Sequence, residues 1–339
     1  MTTPQLVAPF PYFGGKRRVA PAVWDRLGDV RNYVEPFFGS GAVLLARPDS
    51  HDGPHTETVN DIDGFIANFW RAVAADPEAV AHHADWPVNE TDLHARHAWL
   101  VGQRGVLTAR LEGDPAHYDA RTAGWWVWGA CAWIGSGWCS GDGPWSVVDG
   151  ALVKDGADGV NRGLPHLGDA GQGVNRKLPH LGSAGRGAFI LEWMTALSAR
   201  LRDVRVASGD WARVVTNSVT TQHGLTGVFL DPPYCATDRD CSVYTYDDTD
   251  VAHAVRDWAA ANGDNPRLRI ALCGYVADGS EPMPDGWTFH RWKAHGGYGS
   301  RGKGTRGAVN STREVVWFSP HRLPERVVAE LPLFAEVDR

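Results

Sequence analysis

Two turns, each set directly behind a short apolar run, constrain this chain more than any other feature. Gly227–Leu230 (GVFL) runs into Asp231-Pro232-Pro233-Tyr234. Neither proline can donate to a strand ladder and each fixes φ, so an apolar strand has to stop at Leu230. Arg31–Glu35 (RNYVE) runs into Pro36-Phe37-Phe38-Gly39-Ser40-Gly41, where the glycines predict a tight turn into a helix beginning at Ala42–Ala46 (AVLLA). A chain that passes from strand through tight turn to helix builds an α/β sheet, and such sheets hold their ligands at the carboxyl ends of the strands.

The flanks keep this rhythm. A second strand should end near Val59–Asp61, and IDGFIANFWRAVAA has helical spacing from Ile62 to about Ala75, with Pro77 stopping or restarting the helix. Helical spacing resumes in AFILEWMTALSARL, and further strands are expected at Val204–Ala207, Leu268–Leu272 and Val315–Phe318. Between about Glu78 and Arg200 the rhythm is lost, and eight of the 16 tryptophans crowd between Trp86 and Trp145. There VNRGLPHLGDAGQG at 160–173 is followed at once by VNRKLPHLGSAGRG at 174–187, a near-repeat too short for a solenoid and expected to be a glycine-hinged surface loop. The expected organisation is therefore one α/β domain from residues 1–77 and 200–330, interrupted by a mainly helical insertion at 78–199.

At 339 residues with 43% hydrophobic content the chain can bury a large core, which excludes a disulfide-stapled mini-protein and wholesale disorder. No run of 18 apolar residues occurs, and the start has no basic leader ahead of an apolar core, so an intracellular, non-membrane protein is expected. Five cysteines without a CxxC pair fit reduced thiols better than disulfides or structural zinc, and no metal is expected. The net charge of −7 argues against a general polyanion binder, but its distribution is uneven. Between Val160 and Gly187, Arg162, Arg176, Lys177 and Arg186 face the single acid Asp169. Between Trp287 and Arg313, Arg291, Lys293, Arg301, Lys303, Arg306 and Arg313 face none. Both stretches are glycine-rich, which lets the backbone approach phosphates.

The strand-end groups carry chemistry. Asp231 offers a carboxylate, Pro232 an unpaired carbonyl and Tyr234 a ring face, a set that suits a planar aromatic amine. Glu35 can accept from an ammonium or hydroxyl group, and Asp61, ending the next strand, can hold a ribose diol or simply cap a helix. The glycine turn is neither GxGxxG nor a loop ending in GK[ST], which weakens dinucleotide and ATP readings.

Taken in order, these segments resemble the D12 class (Dam-like) of DNA adenine-N6 methyltransferases. The family's amino-terminal Gly-Gly-Lys segment, a cofactor-side contact, is matched by Tyr12-Phe13-Gly14-Gly15-Lys16 and its cofactor motif by Glu35, Pro36, Phe37, Gly39, Ser40 and Gly41. Its ribose-binding acid is matched by Asp61, a second cofactor-side acid by Asp210 followed by Trp211, and its catalytic motif by Asp231-Pro232-Pro233-Tyr234. Phe38 stands where the family usually has a small residue, which bears on loop packing and cofactor affinity. The resemblance implies a class I S-adenosyl-L-methionine-dependent methyltransferase, a Rossmann-like mixed α/β sheet with one antiparallel strand and an inserted target-recognition subdomain. It also implies S-adenosyl-L-methionine as methyl donor, S-adenosyl-L-homocysteine as product and double-stranded DNA as partner. Arg162, Arg176, Lys177, Arg186, Arg301, Lys303 and Arg306 are the expected DNA contacts. Tyr234 is the expected stacking partner of a flipped adenine. The expected setting is cytoplasmic, in a bacterium or a phage-infected host, as a monomer in solution or a dimer on DNA. Methylation of another exocyclic amine, in RNA or at cytosine N4, and a silent DNA-binding relative are the alternatives.

Overall fold

The computed structural model describes residues 6–12, 15–48, 55–114, 116–133, 138–139, 145–148, 151–154, 187–233, 249–275, 283–292 and 314–325. Within them a seven-stranded sheet is built from β1 (Asn32–Glu35), β2 (Thr56–Asp61), β5 (Val204–Ser208), β6 (Thr226–Leu230), β7 (Leu268–Tyr275), β8 (Thr288–Arg291) and β9 (Glu314–Phe318). The strand order is β5-β2-β1-β6-β7-β9-β8. β9 runs antiparallel to both of its neighbours and the other adjacent pairs are parallel, so the sheet is mixed by one strand, as expected. A separate hairpin pairs β3 (Trp145–Val148) with β4 (Ala151–Lys154).

Side chains alternate across the central strands and feed two apolar layers. Tyr33 of β1, Phe229 of β6 and Phe318 of β9 join one layer, with α1 (Ala20–Leu27) and α2 (Gly64–Ala75). Val34, Val228, Leu230, Ile270 and Leu272 join the other, under Val255 and Ala259 of α7 (Thr249–Asn262). α3 (Pro77–Ala84), α4 (Glu90–Gly113), α5 (Ala120–Ala132) and α6 (Gly187–Leu201) extend the first layer through Val80, Leu100, Leu107, Trp126, Val127, Met194 and Leu197. Polar caps start α2, α3, α4 and α5: Asp63 accepts from Phe65 N at 2.8 Å, Asp76 from Ala79 N at 3.0 Å, Asn89 from Asp92 N at 2.8 Å and Asp119 from Thr122 N at 2.8 Å. Pro77, at the start of α3, restarts the helix, where its missing N–H costs nothing.

An ion cluster fastens α6 to the sheet. Glu57 of β2, with its side chain fully buried, accepts from both terminal nitrogens of Arg200 at 2.6 and 2.8 Å and from Arg47 at 3.0 Å. Two guanidinium groups satisfy the carboxylate oxygens that burial would otherwise leave stranded.

The helix expected from Ala42 is a single 3-10 turn, Leu44–Ala46. Arg47 follows it with ψ 129° because Pro48 excludes the helical conformation from the residue ahead of it. Helix α1, the hairpin, α7 and β8 were not legible in the periodicity; β8 is a mostly exposed strand of four residues at the sheet edge. Trp126 and Trp128 pack within α5's buried face, while Trp133 stacks on the His97 ring at 5.0 Å. The near-repeat through residue 186 lies outside the described residues.

Candidate active site

β1 and β6 are parallel neighbours with Val34 opposite Val228, so Glu35 and Asp231 leave the sheet at the same edge. The turn that precedes α1 delivers Lys16 to this edge. Gly15 N donates to Tyr12 O at 3.1 Å, and Lys16 O accepts from Ala20 N at 2.9 Å. Lys16 Nζ then lies 2.8 Å from Asp231 Oδ2, with the lysine only 5% exposed and the aspartate 20%. The same ammonium is 5.8 Å from the centre of the Trp292 ring. Cys273 of β7 reaches Asp231 as well: burial, and then the neighbouring carboxylate to which it is hydrogen-bonded, push its thiol well above the ordinary range. Pro232 is buried and Pro233 half-buried behind Asp231.

Glu35 is 2% exposed and accepts from Tyr33 Oη at 2.9 Å. Burial pushes its carboxyl well above the usual range, bonds from Tyr33 and from the Leu44 backbone N–H oppose this, and the nearby Asp231 adds to it. The turn beyond it is pinned from β2. Phe38 N donates to Asn60 O at 2.9 Å, and Gly39 N to Asp61 Oδ2 at 2.8 Å. Asn60 Nδ2 donates both to Pro36 O at 3.0 Å and to Gly209 O at 2.9 Å, tying the turns after β1 and β5 together. Trp70 Nε1 closes the loop from α2 by donating to Gly39 O at 2.9 Å. Asn60 and Trp70 are structural partners of the site that the sequence did not single out; Asn60 stood beside Asp61 at the predicted strand end, the only available signal.

Gly39 and Gly41 take φ of 48° and 69°, the left-handed region that disfavours a side chain. A Cβ at Gly41 would meet the ring of Phe38 at 2.9 Å, and one at Gly39 the ring of Tyr12 at 2.6 Å. Phe38 itself turns inward, 3% exposed, with its ring centre 4.9 Å from Trp70. The bulky residue is thus absorbed by the core beneath the turn.

Asp61 Oδ2 serves Gly39 N and Oδ1 serves Asp63 N at 2.9 Å, so both oxygens already support the backbone while retaining lone pairs. Its burial raises the carboxyl to about 7 against these bonds. Ser40 is buried in the same turn. At the end of β5, exposed Asp210 caps a short 3-10 helix by accepting from Ala212 N at 2.9 Å. Next to it Trp211 lies roughly parallel to Phe37, with ring centres 6.2 Å apart and 28° between planes. Tyr12, Gly15, Lys16, Glu35, Pro36, Phe37, Gly39, Ser40, Gly41, Asp61, Asp210, Trp211, Asp231, Pro232 and Pro233 are therefore contributed by the turn ahead of α1 and by the carboxyl ends of β1, β2, β5 and β6. Phe13, Gly14, Tyr234, Arg162, Arg176, Lys177, Arg186, Arg301, Lys303 and Arg306 lie outside the described residues.

Among the described residues no group of three or more His, Cys, Asp or Glu side chains could hold a metal ion, and no helix is long and apolar enough to cross a membrane. No curated protein matches the chain. Residues 12–97, which carry Lys16, the Glu35–Gly41 turn and Asp61, match the family of D12 class N6 adenine-specific DNA methyltransferases, and the mixed sheet is the class I methyltransferase fold to which that family belongs.

Proposed function

We propose that the protein is a site-specific DNA adenine methyltransferase that takes its methyl group from S-adenosyl-L-methionine and acts on an adenine flipped out of duplex DNA. The observation that carries this reading is the Lys16–Asp231 pair at 2.8 Å, set at the sheet edge beside Glu35 and the glycine turn. The matched family supports DNA adenine methylation in general.

The donor set fits the methyl donor. Asn60 Oδ1 is buried without a partner next to the turn, and Asp61 keeps lone pairs for a ribose diol. Asp210 is exposed beside the Phe37 and Trp211 rings, a combination that suits the donor's adenine and its amine. Glu35 and the positive-φ glycines bring acceptor and backbone close to its amino-acid end. When bound, S-adenosyl-L-methionine supplies an electrophilic methyl group on a sulfonium.

The residues of the chain act on the other reactant. Adenine's exocyclic amine is a poor nucleophile because its lone pair is delocalised into the ring. Asp231 and the Pro232 carbonyl accept its two hydrogens and so favour the rehybridised amine, while Tyr234 stacks on the base. Lys16 holds the Asp231 carboxylate in place. Residues 1–77 and 200–330 form the catalytic unit and 78–199 the target-recognition segment. Arg162, Arg176, Lys177, Arg186, Arg301, Lys303 and Arg306 neutralise phosphates of the duplex.

Transfer of labelled methyl groups from S-adenosyl-L-methionine to unmethylated duplex DNA, followed by nucleoside analysis, tests the proposal. N6-methyladenine is the expected product. Donor binding without N6-methyladenine on any adenine-containing duplex overturns it, and N4-methylcytosine in its place reassigns the amine.

A further inference from the structure

A cavity of about 790 Å³ opens between α3, α4, α5 and α6, on elements that carry none of the strand-end groups of the active site. Trp86, Trp99 and Trp125 give it aromatic walls; Trp86 is 46% exposed and the other two are half-buried. Arg96 supplies a cation. Only 8% exposed, it lies with its guanidinium carbon 4.2 Å from the Trp128 ring centre, 5.1 Å from that of Trp125 and 5.2 Å from that of Trp86. The rings surround the guanidinium and attract its charge but offer it no acceptor. Its Nη1 is buried without a hydrogen-bond partner. One turn ahead of Arg96 on α4, Asp92 also lines the cavity and accepts from Trp86 Nε1 at 2.5 Å and from Asn89 Nδ2 at 2.6 Å, both on Oδ2. That leaves Oδ1 to accept from a guest.

Charge narrows the guest. Glu78, Asp85 and Asp92 outnumber Arg96 around the cavity, which disfavours a free anion. A simple cation meets Arg96, and behind Trp125 a second guanidinium, that of Arg121, at 5.3 Å from the ring centre. A neutral planar heterocycle that carries acceptors on one edge and donors on another suits the walls, the cation and the carboxylate together. Among the bases guanine has this pattern: O6 and N7 accept from an arginine, and its N1–H and amino group donate to a carboxylate. We infer that the cavity receives an unstacked guanine of the DNA substrate, stacked on a tryptophan wall and read by Arg96 and Asp92, as a nucleotide site separate from that of the reacting adenine. The DNA origin of the guest rests on the proposed function; the chemistry of the cavity does not.

Binding of the pentanucleotides d(TTGTT) and d(TTCTT) tests this by isothermal titration, with S-adenosyl-L-homocysteine present after its own binding has been measured. The wild-type chain should prefer d(TTGTT), and Trp86→Ala, at an exposed position, and Asp92→Asn, at a half-buried one, should each weaken that binding by about tenfold, as expected for a lost stack or base-edge contact. Unchanged far-ultraviolet circular dichroism verifies that both variants are folded. Equal affinity for the two oligonucleotides, or d(TTGTT) binding indifferent to both substitutions, overturns the inference. A chain that binds no S-adenosyl-L-homocysteine yet prefers d(TTGTT) through Trp86 overturns the methyl-donor reading and leaves the cavity's assignment standing.

Discussion

Lys16 and Asp231 meet through a 2.8 Å contact between Nζ and Oδ2, with the lysine almost wholly buried and the aspartate facing the open edge of the sheet. The pair couples the segment ahead of α1 to the proline turn behind β6 and gives the carboxylate one fixed orientation. With Lys16 on one oxygen and the Cys273 thiol also bonded to it, the carboxylate still keeps lone pairs to receive a substrate hydrogen.

If that orientation matters to turnover, Lys16→Met should lower labelled methyl transfer by about 10- to 100-fold, the value of one charge-assisted hydrogen bond. Asp231→Ala should lower it by on the order of 100-fold or more. Donor affinity measured by titration should change less than turnover in both variants. Full activity in Asp231→Ala would remove the residue from the chemistry.

Asp61 gives a pH signature. Burial raises its carboxyl from 3.8 to about 7, so between those values the folded chain holds a proton that the unfolded chain has released. The contribution of this group to stability therefore falls as pH rises through that window and is level above it. Urea unfolding of wild type and Asp61→Asn from pH 5 to 8 should show the variant lacking this downward component. Donor affinity should move the opposite way in wild type, tightening toward pH 8 as the carboxylate that accepts ribose hydroxyls ionises, and should be flat in the variant.

Gly41→Ala puts a side chain at φ 69° and within 2.9 Å of the Phe38 ring. The conformation alone costs about 1–2 kcal/mol. Chemical denaturation should register at least that loss, with donor affinity reduced alongside. The second variant Phe38→Ala, made on top of Gly41→Ala, should relieve the ring contact but not the backbone cost.

The Arg47–Glu57–Arg200 cluster should be the costliest to break. Arg47→Met leaves a buried carboxylate half-served and should lower unfolding stability by about 3–5 kcal/mol, read from the urea midpoint and slope. Burial favours the neutral form of Glu57, but bonds from Arg200 and then Arg47 outweigh it and hold the carboxyl below its ordinary 4.5. The stabilisation is present above that ordinary value and is lost as pH falls through the depressed one. Wild type should accordingly lose stability on acidification more steeply than Glu57→Gln.

Much of the frame was legible because its signals are local. Prolines that cannot donate end β6 at Leu230, glycines that tolerate positive φ turn the chain after Glu35, and Pro77 restarts a helix, each decided by a residue and its neighbours. The same local chemistry misled at Ala42–Ala46, where apolar spacing promised a helix and Pro48 stopped it after one turn. Tertiary structure alone decided who meets whom. Strand order β5-β2-β1-β6 sets Glu35, Asp61, Asp210 and Asp231 along one edge, lets Asn60 bridge two turns and brings Lys16 to Asp231, while the packing of α4 on α5 sets Arg96 among three tryptophans. A carboxylate's partner is fixed by packing across the sheet rather than by spacing along the chain, because hydrogen bonds and ion pairs act over a few ångströms of space and are blind to separation in sequence.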